Sequence, residues 1–497
     1  MRMLLIDPYA PSAGSLSTTL GWLSSSIHAA GHEVFVLSLN SRRIADYEKV
    51  LPDLVNRYAP NMIGITVVCT TYTSALRMVD HFSKYFQGYI VLGGAQMSFE
   101  RENALKENER VDFGIVGEGE EALVELIEHL ENGKDLNDVQ GLIYRDNGEV
   151  KVNPQRKWIV NLNKLPFPDY RLFGLKRVPP KLTYRISTSR GCPFQCTYCN
   201  PRTMQGKWRT RDFNLAIEEL KFARDHFDIR RFDICEPVFN LTCERVIEFC
   251  ELLLKENINM PWTCNSGIRA DRITDDMIKV MKRAGFYDVK IGVETLSPKV
   301  FSTINKGETI DEIVHAVEVV KRNGLQITGS FIIGLPGATY ESDMESFKYA
   351  RKLGFDEMYW SFLVPYPGTP AYNWVLEHGK LYYDYREAHQ YLGQIVINEK
   401  VRVAFETPEY PLSDRIKAME KISWMMKRSG IGQMNSSAFG KAWKTIYNLA
   451  RYDPWNVYGN LLYVGQGFVS EFLRKRKPEG QEFLQFEDLQ KSYNRAD

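Results

Sequence analysis

No stretch of this sequence stays apolar for the ~20 residues that a membrane-spanning helix needs. Nor does one sign of charge prevail: 63 lysines and arginines stand against 62 aspartates and glutamates, a formal net charge of +1. The first absence excludes a membrane span, and the second argues against a general nucleic-acid surface. Cysteine is scarce, with eight in 497 residues, too few for the disulfide scaffold of a secreted protein. Short internal repeats and low-complexity tracts are missing. The start, MRMLLIDPYA, meets Asp7-Pro8 after only four apolar residues, too soon for the apolar stretch of a secretory leader. It reads instead as a first strand, in a protein expected to be cytoplasmic. What remains is ordinary globular composition, 44% hydrophobic and 25% charged, in a chain long enough for roughly three domains.

The first ~150 residues alternate strand-like and helix-like patterns, the mark of a parallel sheet flanked by helices. Strands are expected at 3–6, 34–37, 63–68, 89–92 and 113–116, and helices at 20–30, 45–58, 74–86 and 120–132. This is a doubly wound, five-stranded domain over residues 1–140, and ligands of such folds bind beyond the carboxyl ends of the strands. Residues 141–183 differ. A hairpin-like piece turning at Asn147-Gly148 is followed by proline-punctuated chain, read here as a linker. Alternation resumes over 184–380, with strands at 184–188, 231–235, 262–265, 289–293, 327–333 and 357–364 and helices between them, such as 215–227, 245–257, 275–284 and 310–323. Six such units suggest a partial (β/α)6 barrel with function at the carboxyl strand ends. Residues 381–497 lose the alternation and are rich in aromatics, among them Tyr382, Tyr383, Tyr385, Tyr391, Trp424 and Trp443. They are expected to form a mostly helical unit that shapes a substrate cavity.

Three of the eight cysteines crowd into STSRGCPFQCTYCN, as Cys192, Cys196 and Cys199, directly after an expected strand. Cys69, Cys235, Cys243, Cys250 and Cys264 lie among apolar neighbours and are expected to be core residues. With no histidine or fourth cysteine nearby, the triple-thiol loop lacks the four ligands of a closed zinc site. Spacing alone leaves open a zinc with a distant fourth ligand. Three thiolates can equally hold three irons of a cubane cluster and leave the fourth iron open to a ligand.

The segment Cys192-Pro-Phe-Gln-Cys196-Thr-Tyr198-Cys199 resembles the signature loop of the radical S-adenosylmethionine superfamily, in which an aromatic precedes the third cysteine. The resemblance implies a 4Fe–4S cluster on the three cysteines, an open iron that chelates S-adenosylmethionine, and cleavage of its sulfonium to a 5′-deoxyadenosyl radical. It also implies a one-electron donor such as flavodoxin or ferredoxin. Lys290-Ile-Gly-Val-Glu294-Thr resembles the family's fifth-strand segment, with Glu294 facing the ribose. Asn265, Arg269 and Asp271 match the fourth-strand region, and Gly334 of Ile-Gly-Leu-Pro-Gly the sixth-strand loop, near the later Val364-Pro-Tyr-Pro-Gly-Thr-Pro370. Where relatives carry an acidic pair before a phenylalanine, this chain departs with Asp233-Ile-Cys235-Glu236-Pro237-Val-Phe239, and Glu236 stands for the carboxylate.

The first domain resembles the cobalamin-binding domain that precedes one branch of that superfamily, through LLIDPYAPSAG, AAGHEVFVL, IGITVVCTTY, VLGGAQMS and FGIVGEGEEAL. The resemblance places Thr66, Gly93, Gly94 and Glu118 beside cobalamin, and Tyr9, Thr70, Thr71 or Tyr72 at the lower face of its cobalt. Relatives that ligate cobalt by histidine use Asp-x-His-x-x-Gly, which is absent here. His28 and His32 flank a helix end, so the cobalamin is expected without a histidine ligand. The implied activity is a C-methyltransferase on an unactivated carbon: one S-adenosylmethionine methylates cobalamin, and a second supplies the radical that lets substrate take the methyl group. The rivals are a cyclase or oxidative radical enzyme without methyl transfer, and a sensor that binds cofactors without turnover. The substrate, whether peptide, lipid or small molecule, is not set by the sequence.

Overall fold

The computed structural model describes residues 1–8, 16–38, 51–69, 71–178, 182–200, 204–382 and 403–429. They fall into two compact units, Met1–Arg185 with Lys221–Arg230, and Ile186–Leu220 with the described residues from Arg231 onward.

In the first unit, strands β1 (Arg2–Asp7), β2 (Glu33–Ser38), β3 (Met62–Thr66), β4 (Tyr89–Gly93) and β5 (Phe113–Ile115) alternate with helices α1 (Thr18–Ala29), α2 (Leu51–Tyr58), α3 (Tyr72–Phe82), α4 (Ala95–Glu100), α5 (Glu102–Glu107) and α6 (Gly119–Asn132). Met3–Ile6 form a continuous apolar run because a parallel strand is covered on both faces, and each is at most 2% exposed. The chain enters α1 through Ser17, whose hydroxyl accepts from the Leu20 N–H.

The sheet has seven strands rather than five, in the order β2-β1-β3-β4-β5-β6-β7. The added pair is the hairpin β6 (Leu142–Asp146) and β7 (Glu149–Val152), paired antiparallel to β5 and to each other. Asn147 and Gly148 both have positive φ, 49° and 85°, as a two-residue turn of the mirror-image kind requires. The segment expected as linker thus begins as the edge of the first sheet, and Tyr170 buries itself farther on, stacked edge-on against Phe173, Tyr184 and Phe227.

The second unit is built on six strands in sequential order: β8 (Tyr184–Ile186), β11 (Phe232–Ile234), β12 (Trp262–Ile268), β13 (Phe286–Glu294), β14 (Gln326–Ile333) and β15 (Glu357–Phe362). The short strands β9 (Ser189–Arg190) and β10 (Arg209–Thr210) form a separate antiparallel ladder. Helices α7 (Phe213–Phe227), α8 (Cys243–Lys255), α9 (Asp275–Arg283), α10 (Pro298–Phe301), α11 (Ile310–Arg322), α12 (Tyr340–Leu353) and α13 (Pro370–His378) intervene or follow. Sequential parallel strands joined by helices give the expected partial barrel. One face of the sheet packs on helices through edge-to-face aromatics, Trp262 against Phe249 and Trp360 against Phe347.

The described part of the C-terminal region does not stand apart. Strand β17 (Phe405–Glu406) pairs with β16 (Lys380–Leu381), and α14 (Leu412–Ser429) packs on α12 and β14. Trp424 is exposed there and Tyr382 partly so, while Tyr383, Tyr385, Tyr391 and Trp443 lie outside the described residues. Of the five scattered cysteines, only Cys250 and Cys264 are core. Cys69, Cys235 and Cys243 are half-buried, at strand or helix ends where packing is less complete.

Candidate functional site

The triple-thiol loop leaves the carboxyl end of β8, the first strand of the second sheet. Its approach is set by backbone. Glu236, at the end of β11, accepts from the N–H groups of Thr188 (2.6 Å) and Ser189 (2.8 Å) and from the Thr188 hydroxyl. Its carboxylate therefore serves the loop's stem, and burial pushes its pKa up to about 7 against those donors. Gly191 follows with φ +82°, where a Cβ would lie 2.3 Å from the Lys207 carbonyl oxygen. Only glycine lets the chain pass into Cys192 at that distance.

Cys192 is buried, Cys196 half-buried and Cys199 exposed. Burial raises all three thiols; that of Cys199 reaches about 12, with Cys196 and Cys192 adding to the effect. Iron must then displace protons on binding. Among the described residues no three His, Cys, Asp or Glu side chains converge on one metal ion. In a cubane each of the three thiolates would take a different iron.

Around the loop lies a buried ionic network. Arg269 lies over the Phe194 ring at 3.5 Å, donates to Asp271 (2.9 Å) and to the carbonyls of Lys306 and Gly307 (3.1 Å each), and sits 3.4 Å from Glu308. Arg269 thus clamps the cysteine loop to the 306–308 segment with its own donors. Lys306 donates to the Gly292 carbonyl and pairs with Glu294 (3.3 Å) and Glu308 (3.4 Å), which uses its three N–H groups. Glu294 closes β13 in the left-handed region, φ +64°, a backbone strain that clusters at functional sites. The Tyr198 phenol lies against Glu294 and Cys196, and burial followed by these charges holds its pKa well above the usual value.

The structure therefore brings Tyr198, Glu294, Arg269 and the three cysteines together, and adds Lys306 and Glu308. Sequence reasoning missed these two, since they occupy a loop without period; the only trace was the charge alternation of Lys306-Gly-Glu308. Asn265 stands on the sheet face away from the helices, bonded to Asp233 (2.8 Å) and Lys290. That face is polar across neighbouring strands: Thr263 donates to Asp233, Thr328 to Asp288 and Tyr359 to Glu357. Gly334 lies at the end of β14, where the close neighbour is the Arg415 guanidinium.

The first unit has strand order 2-1-3-4-5 before its hairpin, and folds of that order bind ligands at the carboxyl ends, where β1 and β3 diverge. Thr66 ends β3 and Gly93 ends β4, in register with each other. Among the described residues a Cβ on Gly93 would meet nothing within 4 Å. Gly94, by contrast, is needed by the fold, since a Cβ there would lie 2.7 Å from the Val67 carbonyl oxygen. Thr71 and Tyr72 make contacts within the fold. Thr71 is buried, its hydroxyl closing the turn on Val68 (3.1 and 3.2 Å), and the buried Tyr72 donates to Glu107 (3.1 Å). Both turn inward because they open α3, whose inner face is core. Glu118 accepts from the Ile159 N–H at 2.7 Å and holds the following segment. Tyr9 and Thr70 lie outside the described residues. His28 is in the last turn of α1, and His32 lies 3.2 Å from the Met1 ammonium. Both precede β2 and so sit at the amino edge of the parallel strands, opposite the ligand edge.

A family model described as "Radical SAM superfamily" matches residues 186–350, and one described as "B12 binding domain" matches residues 14–127. The chain is 30% identical, over 77% of its length and 84% of the relative's, to an uncharacterised methyltransferase of Pyrococcus horikoshii. It is 25% identical, over 74% of its length and 68% of the relative's, to the anaerobic magnesium-protoporphyrin IX monomethyl ester cyclase of Rubrivivax gelatinosus. The radical S-adenosylmethionine methyltransferase TsrM from Kitasatospora setae, solved with cobalamin and a [4Fe-4S] cluster, shares the fold: TM-score 0.71 over 99% of both chains at 14% identity.

Proposed function

The chain belongs to the radical SAM superfamily, in the branch that also carries a B12-binding domain, and on that premise we propose that it is a cobalamin-dependent methyltransferase acting on an unactivated carbon. One observation carries the reading. A loop of three thiols leaves the first of six sequential parallel strands, in the same chain as a 2-1-3-4-5 sheet with an open carboxyl edge.

When bound, the cluster supplies an electron that breaks the sulfonium of S-adenosylmethionine, and cobalamin supplies the methyl group. The residues do the rest. Cys192, Cys196 and Cys199 hold three irons and leave the fourth for S-adenosylmethionine. Glu294 accepts from the ribose hydroxyls once Lys306 shares it, and Arg269 keeps Phe194 and the cysteine loop in place. In the first unit, Thr66 and Gly93 give the corrin edge and nucleotide tail close access to backbone. The places of His28 and His32 at the opposite edge support cobalamin without a histidine ligand. Among the described residues no helix is long and apolar enough to cross a membrane. A reductant and a substrate complete the reaction. The polar sheet face around Asp233, Asn265 and Lys290 favours a substrate that offers hydrogen bonds.

The test is product analysis. Anaerobically reconstituted protein, given S-adenosylmethionine, a reductant and its substrate, is expected to form S-adenosylhomocysteine and 5′-deoxyadenosine in about equal amounts. 5′-Deoxyadenosine without S-adenosylhomocysteine would move the assignment to ring closure, as in the cyclase relative. Zinc instead of iron on the cysteine loop would remove the radical reading.

A further inference from the structure

Gly334, the first residue beyond β14, is gripped on both sides of its peptide. Its N–H donates to Asp343 of α12 at 3.1 Å, and its carbonyl oxygen lies 3.5 Å from a guanidinium nitrogen of Arg415, in the first turn of α14. With φ +81° and a Cβ position 2.1 Å from that nitrogen, no larger residue fits unless Arg415 moves. Arg415 has nowhere to go. It is 1% exposed, it donates through Nε to the Tyr410 carbonyl (2.9 Å), and its guanidinium lies over the rings of Phe405 (4.1 Å) and Tyr410 (4.7 Å). Burying a guanidinium is costly, and an apolar side chain would anchor a docked helix at lower cost. Asp343 and Glu406 offset part of that charge, and the guanidinium also reaches the turn after β14.

That turn is tied onward to the cysteine loop. The Thr303 hydroxyl shares its one proton between the carbonyls of Pro336 (2.9 Å) and Val300 (2.8 Å), and the Thr303 carbonyl accepts from the Thr197 hydroxyl at 3.3 Å. Thr197 stands between Cys196 and Tyr198, and its own N–H donates to the Ile304 carbonyl at 2.9 Å. A continuous set of contacts therefore runs from the segment that returns at residue 403, through Arg415, Gly334, Pro336 and Thr303, to the thiol loop.

We propose that Arg415 is a positioning residue for the S-adenosylmethionine site, fixing the 334–337 turn and, through Thr303, the loop that carries Cys196 and Cys199. The C-terminal segment and the cofactor site are then set together: a shift of α14 moves the turn, and the turn moves Thr197. This rests on the function proposed above and on the family resemblance by which Gly334 belongs to the cofactor-side loop after β14.

The experiment uses the full chain, reconstituted anaerobically, with two readouts: iron per chain, and the dissociation constant of S-adenosylmethionine from its effect on the electron paramagnetic resonance of the reduced cluster. Arg415→Met is expected to keep its iron and to weaken S-adenosylmethionine about tenfold. Arg415→Lys, which keeps the charge and a donor, is expected to recover part of that loss. Gly334→Ala, which pushes against the guanidinium, is expected to shift binding in the same direction as Arg415→Met. A merely structural role would lower the unfolding temperature and leave the dissociation constant untouched well below it. An unchanged constant in Arg415→Met overturns the proposal, whatever Gly334→Ala shows. If Arg415→Met holds no iron, an unchanged constant in Arg415→Gln, which removes the charge and keeps a polar side chain, does so. A wild-type chain that takes up no cluster or no S-adenosylmethionine would instead remove the function on which the proposal rests.

Discussion

At the carboxyl edge of the first sheet stand Thr66 and Gly93, small and uncharged, with Asp7, whose carboxyl burial pushes up to about 6. The matching edge of the second sheet is crowded with buried, paired charges: Arg269, Asp271, Glu294, Lys306 and Glu308. An edge of small residues admits a large ligand by shape and backbone, and it demands little of any one side chain. An ionic network fixes a small reacting centre, and every member depends on its partners. The two sites should therefore fail differently.

The largest separation is expected from Cys196→Ala, which removes a cluster ligand that nothing nearby replaces. Iron content should fall to background while cobalamin binding persists, as absorbance after gel filtration would report. Cobalamin lost together with iron would mean that the two sites are not independent. Lys306→Met should come next. It leaves Glu294 and Glu308 buried beside an apolar chain, and breaking such a pair costs about 3–5 kcal/mol. Denaturant unfolding should place that loss in the second unit alone. Gly93→Val should act only on the first, filling the open space at the end of β4. Overpacking of about 1–3 kcal/mol would weaken cobalamin binding with iron unchanged, and unaltered affinity would remove Gly93 from the site.

The smallest effect is one of pH. Glu236 is raised by burial to about 7 in the folded chain, from an ordinary value of 4.5. A raised carboxyl stabilises the fold below its unfolded value and loses that contribution as pH rises through the folded one. The second unit should thus become less heat-stable as pH rises from 4.5 to about 7. Glu236→Gln, which can still accept from Thr188 and Ser189, should flatten that slope. An identical slope in the variant would assign it to other groups.

Much of this was legible in the sequence because it is periodic or punctuated. The two sets of parallel strands follow from alternating apolar runs, and the Asn147-Gly148 turn from the residues its backbone requires. The cysteine loop follows from spacing. What escaped is tertiary. The hairpin joins the first sheet because β5 offers an unpaired edge, which no local pattern announces. Thr71 and Tyr72 sit in the loop from which a ligand contact was expected, yet they open a helix and point to its core face. Arg269 and Glu236 lie beside the cysteine loop, and both hydrogen-bond to backbone as well as to side chains there, which residue type alone does not disclose. Lys306 and Arg415 carry no signal beyond their charge, and their importance comes from being buried.

Among the described residues the six strands of the second sheet form an arc whose end strands, β8 and β15, pair with no further strand of that sheet. In a closed cylinder the interior width follows from strand number and stagger. An arc has no such fixed gauge. Its span depends on whatever segments border the gap, so the reacting centre on β8 and β13 can stay constant while the room before it is retailored by changing chain elsewhere. Diversity of substrate then costs the chemistry nothing.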